Sequence, residues 1–197
     1  MFTGIVQKGN IQSISPAEDG WELAISMPNF AAIVQLGDSV AIDGACLTVT
    51  KVEQDNMYFF VSTESIAKTT IRNYKTGDTV NTELPMQPNG YLGGHYVLGH
   101  VDATAKVTEI KITPTAWFLT IQVPEQFVKY IVYKGSIAIN GVSLTINEVH
   151  DDLIDLCIIP TTLDKTNFNQ LAVDSIVNIE FDILAKYTEQ LLLKRNV

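Results

Sequence analysis

Cys46 and Thr48 stand two residues apart just after an Asp43-Gly44 pair, and Ser143 and Thr145 repeat the arrangement just after Asn140-Gly141. In an extended strand, residues two apart share a face, so Cys46, Thr48 and Thr50 point one way and Leu47 and Val49 the other. Hydroxyls turned to water over a Leu/Val core would account for either threonine alone. A cysteine on the same face tells against that, because free Cys is among the residues most often buried. A face carrying Cys-x-Thr in one place and Ser-x-Thr in another suits a polar planar molecule met by hydroxyl and backbone groups.

The histidines are His95 and His100, in GGHYVLGHVD, and His150, in VHDDL. His95, His100 and Asp102 could begin a zinc site, but no further ligand is well placed and a strand spacing of five turns the two rings to opposite faces. No metal is expected. His150 reads as a solvated turn residue. His100 stands where the earlier part of the chain has Ile5, and a histidine replacing an apolar residue is a candidate acid, base or hydrogen-bond donor. Neither GxGxxG nor GxxxxGKS/T occurs, nor GxSxG, so nucleotide cofactors and a serine-hydrolase elbow are disfavoured.

That comparison of Ile5 with His100 rests on a duplication. SVAIDGACLTVTKV (39–52) matches SIAINGVSLTINEV (136–149) at an offset of 97, and Trp21 with Trp117, Pro28 with Pro124 and Lys68-Thr69 with Lys165-Thr166 extend the match. Two copies of this length suit two small domains rather than solenoid repeats, joined by the Pro- and Gly-rich PMQPNGYLGG at 85–94. The expected domains are 1–94 and 95–184, followed by 185–197.

Trp21, Leu23, Ile25 and Met27 alternate with polar or small residues, as do Trp117, Leu119, Ile121 and Val123, which is the period of half-buried strands. Asp43-Gly44 and Asn140-Gly141 are hairpin signals. The spacing predicts strands near 4–14, 21–27, 39–43, 46–53, 57–63 and 79–84, each repeated in the second copy, with helical pieces at 29–35 and 125–132. Closure removes exposed edges, so the fold class is all-β: two tandem six-stranded antiparallel (Greek-key) β-barrels with short helices. AKYTEQLLLKRN (185–196) reads as a C-terminal helix. Its stripe of Leu184, Tyr187 and Leu191 packs on its own domain or on another copy of the chain.

The 13 Lys and Arg against 22 Asp and Glu leave a net charge of −9, which disfavours a nucleic-acid partner. No 18-residue apolar run could span a membrane. Two cysteines are too few for a disulfide framework, and both read as free thiols. The opening MFTGIVQKGN lacks the order of a signal peptide, and a cytoplasmic location is expected.

MFTGIV, GDSVAIDGACLTVT, GGHYVLGHVD, KGSIAINGVSLTI, IIPTTLDKT and VNIEFD, in that order, resemble the lumazine-binding β-barrel family that includes the riboflavin synthases, over residues 1–190. The resemblance implies an enzyme that takes two molecules of 6,7-dimethyl-8-ribityllumazine, moves a four-carbon unit from one to the other, and releases riboflavin and 5-amino-6-ribitylaminouracil. It implies a homotrimer held by the C-terminal helix, with each active site between the first barrel of one subunit and the second barrel of its neighbour. Association with a lumazine synthase is left open. No cofactor is implied, because the electron-poor pteridine stabilises the anion formed at its own 7-methyl group.

Carried across by motif, Gly4, Ile5 and Val6 would line the first pocket with Cys46, Leu47 and Thr48 and the run Phe60, Val61, Ser62, Thr63, Glu64 and Ser65. Gly99, His100 and Val101 would line the second with Ser143, Leu144 and Thr145 and the run Cys157, Ile158, Ile159, Pro160, Thr161 and Thr162. The resemblance assigns Lys134 a reach toward substrate on another chain, and associates Ser39 and Asp182 with activity. His100 and Ser143 are candidates for proton transfer or ring polarisation, and Cys46 for a transient nucleophile. Glu64 pairs with Thr161, so the second copy lacks an acid that family members often carry there. The rival expectation is a non-catalytic lumazine- or flavin-binding protein of the same fold. Such relatives tend to have lost the Cys-Leu-Thr and GGHxxxGH residues that this chain keeps.

Overall fold

Asp43 and Gly44 take φ of 43° and 80°, and Asn140 and Gly141 take 44° and 75°. Two successive positive φ values make a type I′ turn, whose twist matches that of the flanking strands. In the computed structural model, which describes residues 1–195, these turns join β3 (Ser39–Ile42) to β4 (Ala45–Glu53) and β9 (Ser136–Ile139) to β10 (Val142–His150).

Each turn belongs to a closed six-stranded barrel. The first adds β1 (Gln7–Ala17), β2 (Gly20–Ser26), β5 (Asn56–Ser62) and β6 (Thr79–Glu83), in the order β1-β2-β5-β4-β3-β6. The second adds β7 (Ala103–Ile112), β8 (Trp117–Gln122), β11 (Leu153–Ile158) and β12 (Ile176–Phe181), and repeats that order. Register shifts fall at matched places, between Ile11 and Ser13 and between Val107 and Glu109, and again between Val49 and Lys51 and between Ile146 and Glu148. Such bulges sharpen the bend that a small barrel needs in order to close.

The helical expectation is met in shorter form: α1 covers only Pro28–Ala31, and Glu125–Tyr130 is a 3-10 turn. Two helices were not anticipated, α2 (Thr63–Lys68) and α3 (Pro160–Lys165), each following the last strand of a hairpin. The Ser62 hydroxyl caps α2 by accepting from Ser65 N at 3.2 Å, and Pro160 opens α3. α4 (Ile183–Arg195) is the expected C-terminal helix; Asn196 and Val197 lie outside the described residues.

The expected first strand of each copy differs in a way that matters. β1 begins at Gln7 and β7 at Ala103, and the residues before them cross to the opposite barrel. Val6 is buried in the core of the second barrel, and Val101 packs against the core of the first. Fully burying a valine side chain contributes roughly 1.5–3 kcal/mol, which Val6 gains nearly in full and half-buried Val101 in part. Phe2 and Val97 pair with each other between them, Phe2 N donating to Val97 O at 2.7 Å.

The barrels meet about an approximate twofold axis. Asn81 Nδ2 donates to Asn140 O at 2.9 Å, and Asn178 Nδ2 to Asp43 O at 2.8 Å. Asn167 N donates to Asn81 Oδ1 and Thr70 N to Asn178 Oδ1, both at 2.8 Å. At the axis the two hairpin tips touch: a Cβ on Gly44 would lie 2.7 Å from Gly141 N, and one on Gly141 2.7 Å from Gly44 N. The symmetry breaks at Asp43, whose carboxylate also accepts from Tyr74 Oη at 2.7 Å and Asn167 Nδ2 at 3.0 Å.

Candidate functional site

β4 alternates as its pattern requires: Leu47 and Val49 are buried in the first core, Thr48 and Thr50 are exposed, and Cys46 is half-buried. Cys46 N donates to Gly99 O at 2.8 Å. Around the thiol lies a crevice of about 230 Å³ lined by Ala45 and Cys46, by Glu64, Ser65, Lys68 and Thr69 of and after α2, and by Gly99, His100 and Val101. His100 therefore sits with Cys46 rather than with Ser143. The motif order expects the 99–101 segment in the second pocket, but the crossing of the segments brings it beside Cys46 of the first barrel.

The converse holds at Ser143. Its backbone N donates to Gly4 O at 2.9 Å, so the Gly4–Val6 segment lies against the second barrel beside Ser143 and not against the first beside Cys46. Ser143 Oγ lies 2.7 Å from His95 Nδ1. His95 is buried, and burial pushes its imidazole below the usual range, opposed by the charge of Asp182. A neutral ring can accept the seryl proton at Nδ1, so the pair forms a hydroxyl with a base beside it.

From the sequence His95 reads only as a candidate metal ligand. The signal that could have found it is the glycine pair before it: a Cβ on Gly94 would stand 2.2 Å from Thr3 O and 2.6 Å from Ser143 Cβ. Only glycine lets the linker pass that close to the serine.

The remaining expected residues divide. Ser39 lies opposite Thr48 in the β3–β4 register, on the strand pair that carries Cys46. Glu64 lines the Cys46 crevice and pairs with Lys68 of its own helix at 3.3 Å. Asp182 caps α4, its Oδ1 accepting from Leu184 N at 2.9 Å, while its charge acts on His95. Lys134 is exposed and donates to Asn147 O at 3.2 Å, which joins it to neither the Cys46 crevice nor Ser143 within the chain.

Val6, Leu47, Val61 and Ile158 were named as lining residues, but their side chains lie in the barrel cores. Strand alternation explains this for Leu47, Val61 and Ile158: the outward neighbours Thr48, Phe60, Ser62 and Ile159 are exposed and Cys157 half-exposed. At these four positions only backbone can face a ligand.

Matched against known families, residues 3–85 and 98–182 each fit the lumazine binding domain. The chain belongs to the lumazine-binding domain family. It is 41% identical over 195 residues to the riboflavin synthase of Photobacterium phosphoreum, covering 98% of this chain and 89% of that one. Among solved structures it resembles LumP complexed with 6,7-dimethyl-8-(1'-D-ribityl) lumazine, with a TM-score of 0.83 and 30% identity over 92% of this chain and 99% of that one. It also resembles LumP complexed with riboflavin, with a TM-score of 0.84 and 31% identity over the same shares. On equivalent strands of one chain, then, Cys46 shares a crevice with His100 while Ser143 is hydrogen-bonded to His95, two chemically unlike clusters.

Proposed function

We infer that the chain catalyses the dismutation of two 6,7-dimethyl-8-ribityllumazine molecules to riboflavin and 5-amino-6-ribitylaminouracil. The observation that carries the reading is the pair of unlike half-sites on equivalent strands: a thiol near an exposed histidine on one, a hydroxyl bonded to a buried histidine on the other. Two identical molecules must play different parts, one giving four carbons and one accepting them. Twin folds give each ring an equivalent seat, and the Cys/Ser and histidine differences make the seats unequal.

Holding two rings in register replaces much of the entropic barrier of a bimolecular step. The proton that leaves the 7-methyl group needs a base, and His100 and the Ser143–His95 pair are the groups offered. Cys46 is the candidate for transient addition to a ring carbon. Ser39 and Asp182 support the half-sites from strand β3 and the start of α4.

Assembly as a homotrimer in the cytoplasm, each site joining the first barrel of one subunit to the second of its neighbour, belongs to the same proposal. Supporting it, Leu184, Tyr187 and Leu191 of α4 are all exposed and at helical spacing. Lys134, unengaged by the chain's own half-sites, is free to serve a neighbour's.

The test is to mix the purified chain with the lumazine and follow riboflavin absorbance. Multiple turnovers support the reading. A bound chromophore without turnover would favour the rival, a carrier of lumazine or flavin, and absence of both would sink either.

A further inference from the structure

Two buried glutamates sit where the crossing segments leave their barrels, and substrate contact does not account for them. Glu83 ends β6, and Glu180 holds the matching place in β12. Glu83 Oε1 accepts from Thr3 N at 2.7 Å and Thr3 Oγ1 at 2.6 Å, and Oε2 from Gly4 N at 2.9 Å. Glu180 Oε1 accepts from Leu98 N at 2.6 Å, and Oε2 from Gly99 N at 3.0 Å and His100 N at 3.1 Å. Three donors converging on one buried carboxylate clamp a segment of backbone that has no strand partners of its own along most of its length.

The clamped segments serve the barrel they cross to. Beyond Glu83, the next bond runs from Ser143 N to Gly4 O; beyond Glu180, it runs from Cys46 N to Gly99 O, and His100 follows directly into the Cys46 crevice. The contacts are tight as well as bonded. A Cβ on Gly4 would meet Ser143 Cβ at 2.5 Å, and one on Gly99 would meet Cys46 Cβ at 2.6 Å. A shift of either segment therefore moves the residue it abuts.

We propose that Glu180 is the positioning residue of the Cys46–His100 half-site and Glu83 that of the Ser143 half-site, each acting from one barrel on the chemistry of the other. The wiring is crossed. Its effect on turnover rests on the function inferred above; the wiring itself rests on the geometry alone.

The test uses the full chain as Glu180→Gln and Glu83→Gln, which keep the side chain's size but turn an amide NH₂ toward backbone N–H. Each is treated with iodoacetamide, and alkylation of the Cys46 peptide is resolved from that of the Cys157 peptide by mass. Glu180→Gln should change the Cys46 rate by about threefold to tenfold, the worth of one lost hydrogen bond. Glu83→Gln should leave it at the wild-type rate, although Glu83 and Cys46 share a barrel. Amide exchange should show the converse, the Ser143 N–H exchanging faster in Glu83→Gln and the Cys46 N–H in Glu180→Gln. In steady state both variants should lose kcat with little change in KM.

If a glutamine variant fails to fold, the aspartate at the same position keeps the charge, shortens the reach, and should show the same crossed pattern. Cys46 reactivity that follows Glu83, follows both residues equally or follows neither overturns the proposal. A wild-type chain that makes riboflavin while its variants lack the crossed pattern sinks the wiring alone. A crossed pattern in a chain that cannot make riboflavin sinks the function and leaves the wiring standing.

Discussion

At the scale of single residues, His100 and Asp43 make separate predictions. His100 is exposed at the mouth of the Cys46 crevice, so replacing it should remove chemistry without removing fold. His100→Gln should bind the lumazine with nearly unchanged affinity and lower kcat on the order of 100-fold, the usual worth of a positioned acid or base. Full turnover in this variant would take the ring out of the reaction. Asp43 is a different case, because burial pushes its carboxyl from 3.8 up to about 7, against the hydrogen bonds it accepts from Asn81 N, Tyr74 and Asn167. Between those values the folded chain keeps the proton and the unfolded chain does not. This group's contribution to stability is thus full below about pH 4 and is lost as pH rises through about 7. Asp43→Asn copies the Asn140 arrangement of the twin turn. It should flatten the fall of unfolding free energy between about pH 4 and 7 and raise it at pH 8, by on the order of a few kcal/mol at most, read from urea unfolding curves. A residual slope should persist, since burial raises Glu83 and Glu180 in the same direction.

Among the elements, α4 is held to its own barrel by few but specific contacts. Lys186 Nζ lies 2.7 and 2.6 Å from the two oxygens of Asp102, which also accepts from Phe181 N, and Glu189 meets Tyr130 and Lys129. Lys186→Met leaves Asp102 part-buried without its cation and should lower the thermal midpoint by several degrees, read by far-UV circular dichroism. Leu191→Glu lies on the outward face instead. It should leave that midpoint of the single chain nearly unmoved while reducing the light-scattering mass from three times 21.7 kDa to one. A wild-type mass of one chain would remove the trimer. Sequence reading found α4 from its stripe and its lack of alternation, and placed the strands to within a few residues, because period and turn chemistry are local. α2 and α3 escaped it for the same reason: each is six residues long, too short for a stripe, and starts at a cap that reads equally well as a turn.

Across the whole molecule, what the sequence could not reveal was the exchange of segments. Ile5 and His100 were correctly seen as matched and unlike, yet which barrel each would face depends on how the copies pack, and no periodicity records that. The same packing predicts the behaviour of a broken chain. Tyr91 in the linker is 97% exposed, whereas the barrels are joined by buried amide bonds and by a shared core of Phe2, Ala41, Val97 and Ala138. Limited chymotrypsin nicking at Tyr91 should give two fragments that travel together on gel filtration under native conditions and part only in denaturant. Fragments that separate without denaturant would mean the linker, not the junction, unites the halves. The two hairpin tips add a constraint of another kind. Gly44 and Gly141 stand nose to nose with no room for a methyl group between them. Whichever tip gained a side chain would injure its sibling, so genetic drift in these duplicated halves is policed at that spot by the other half.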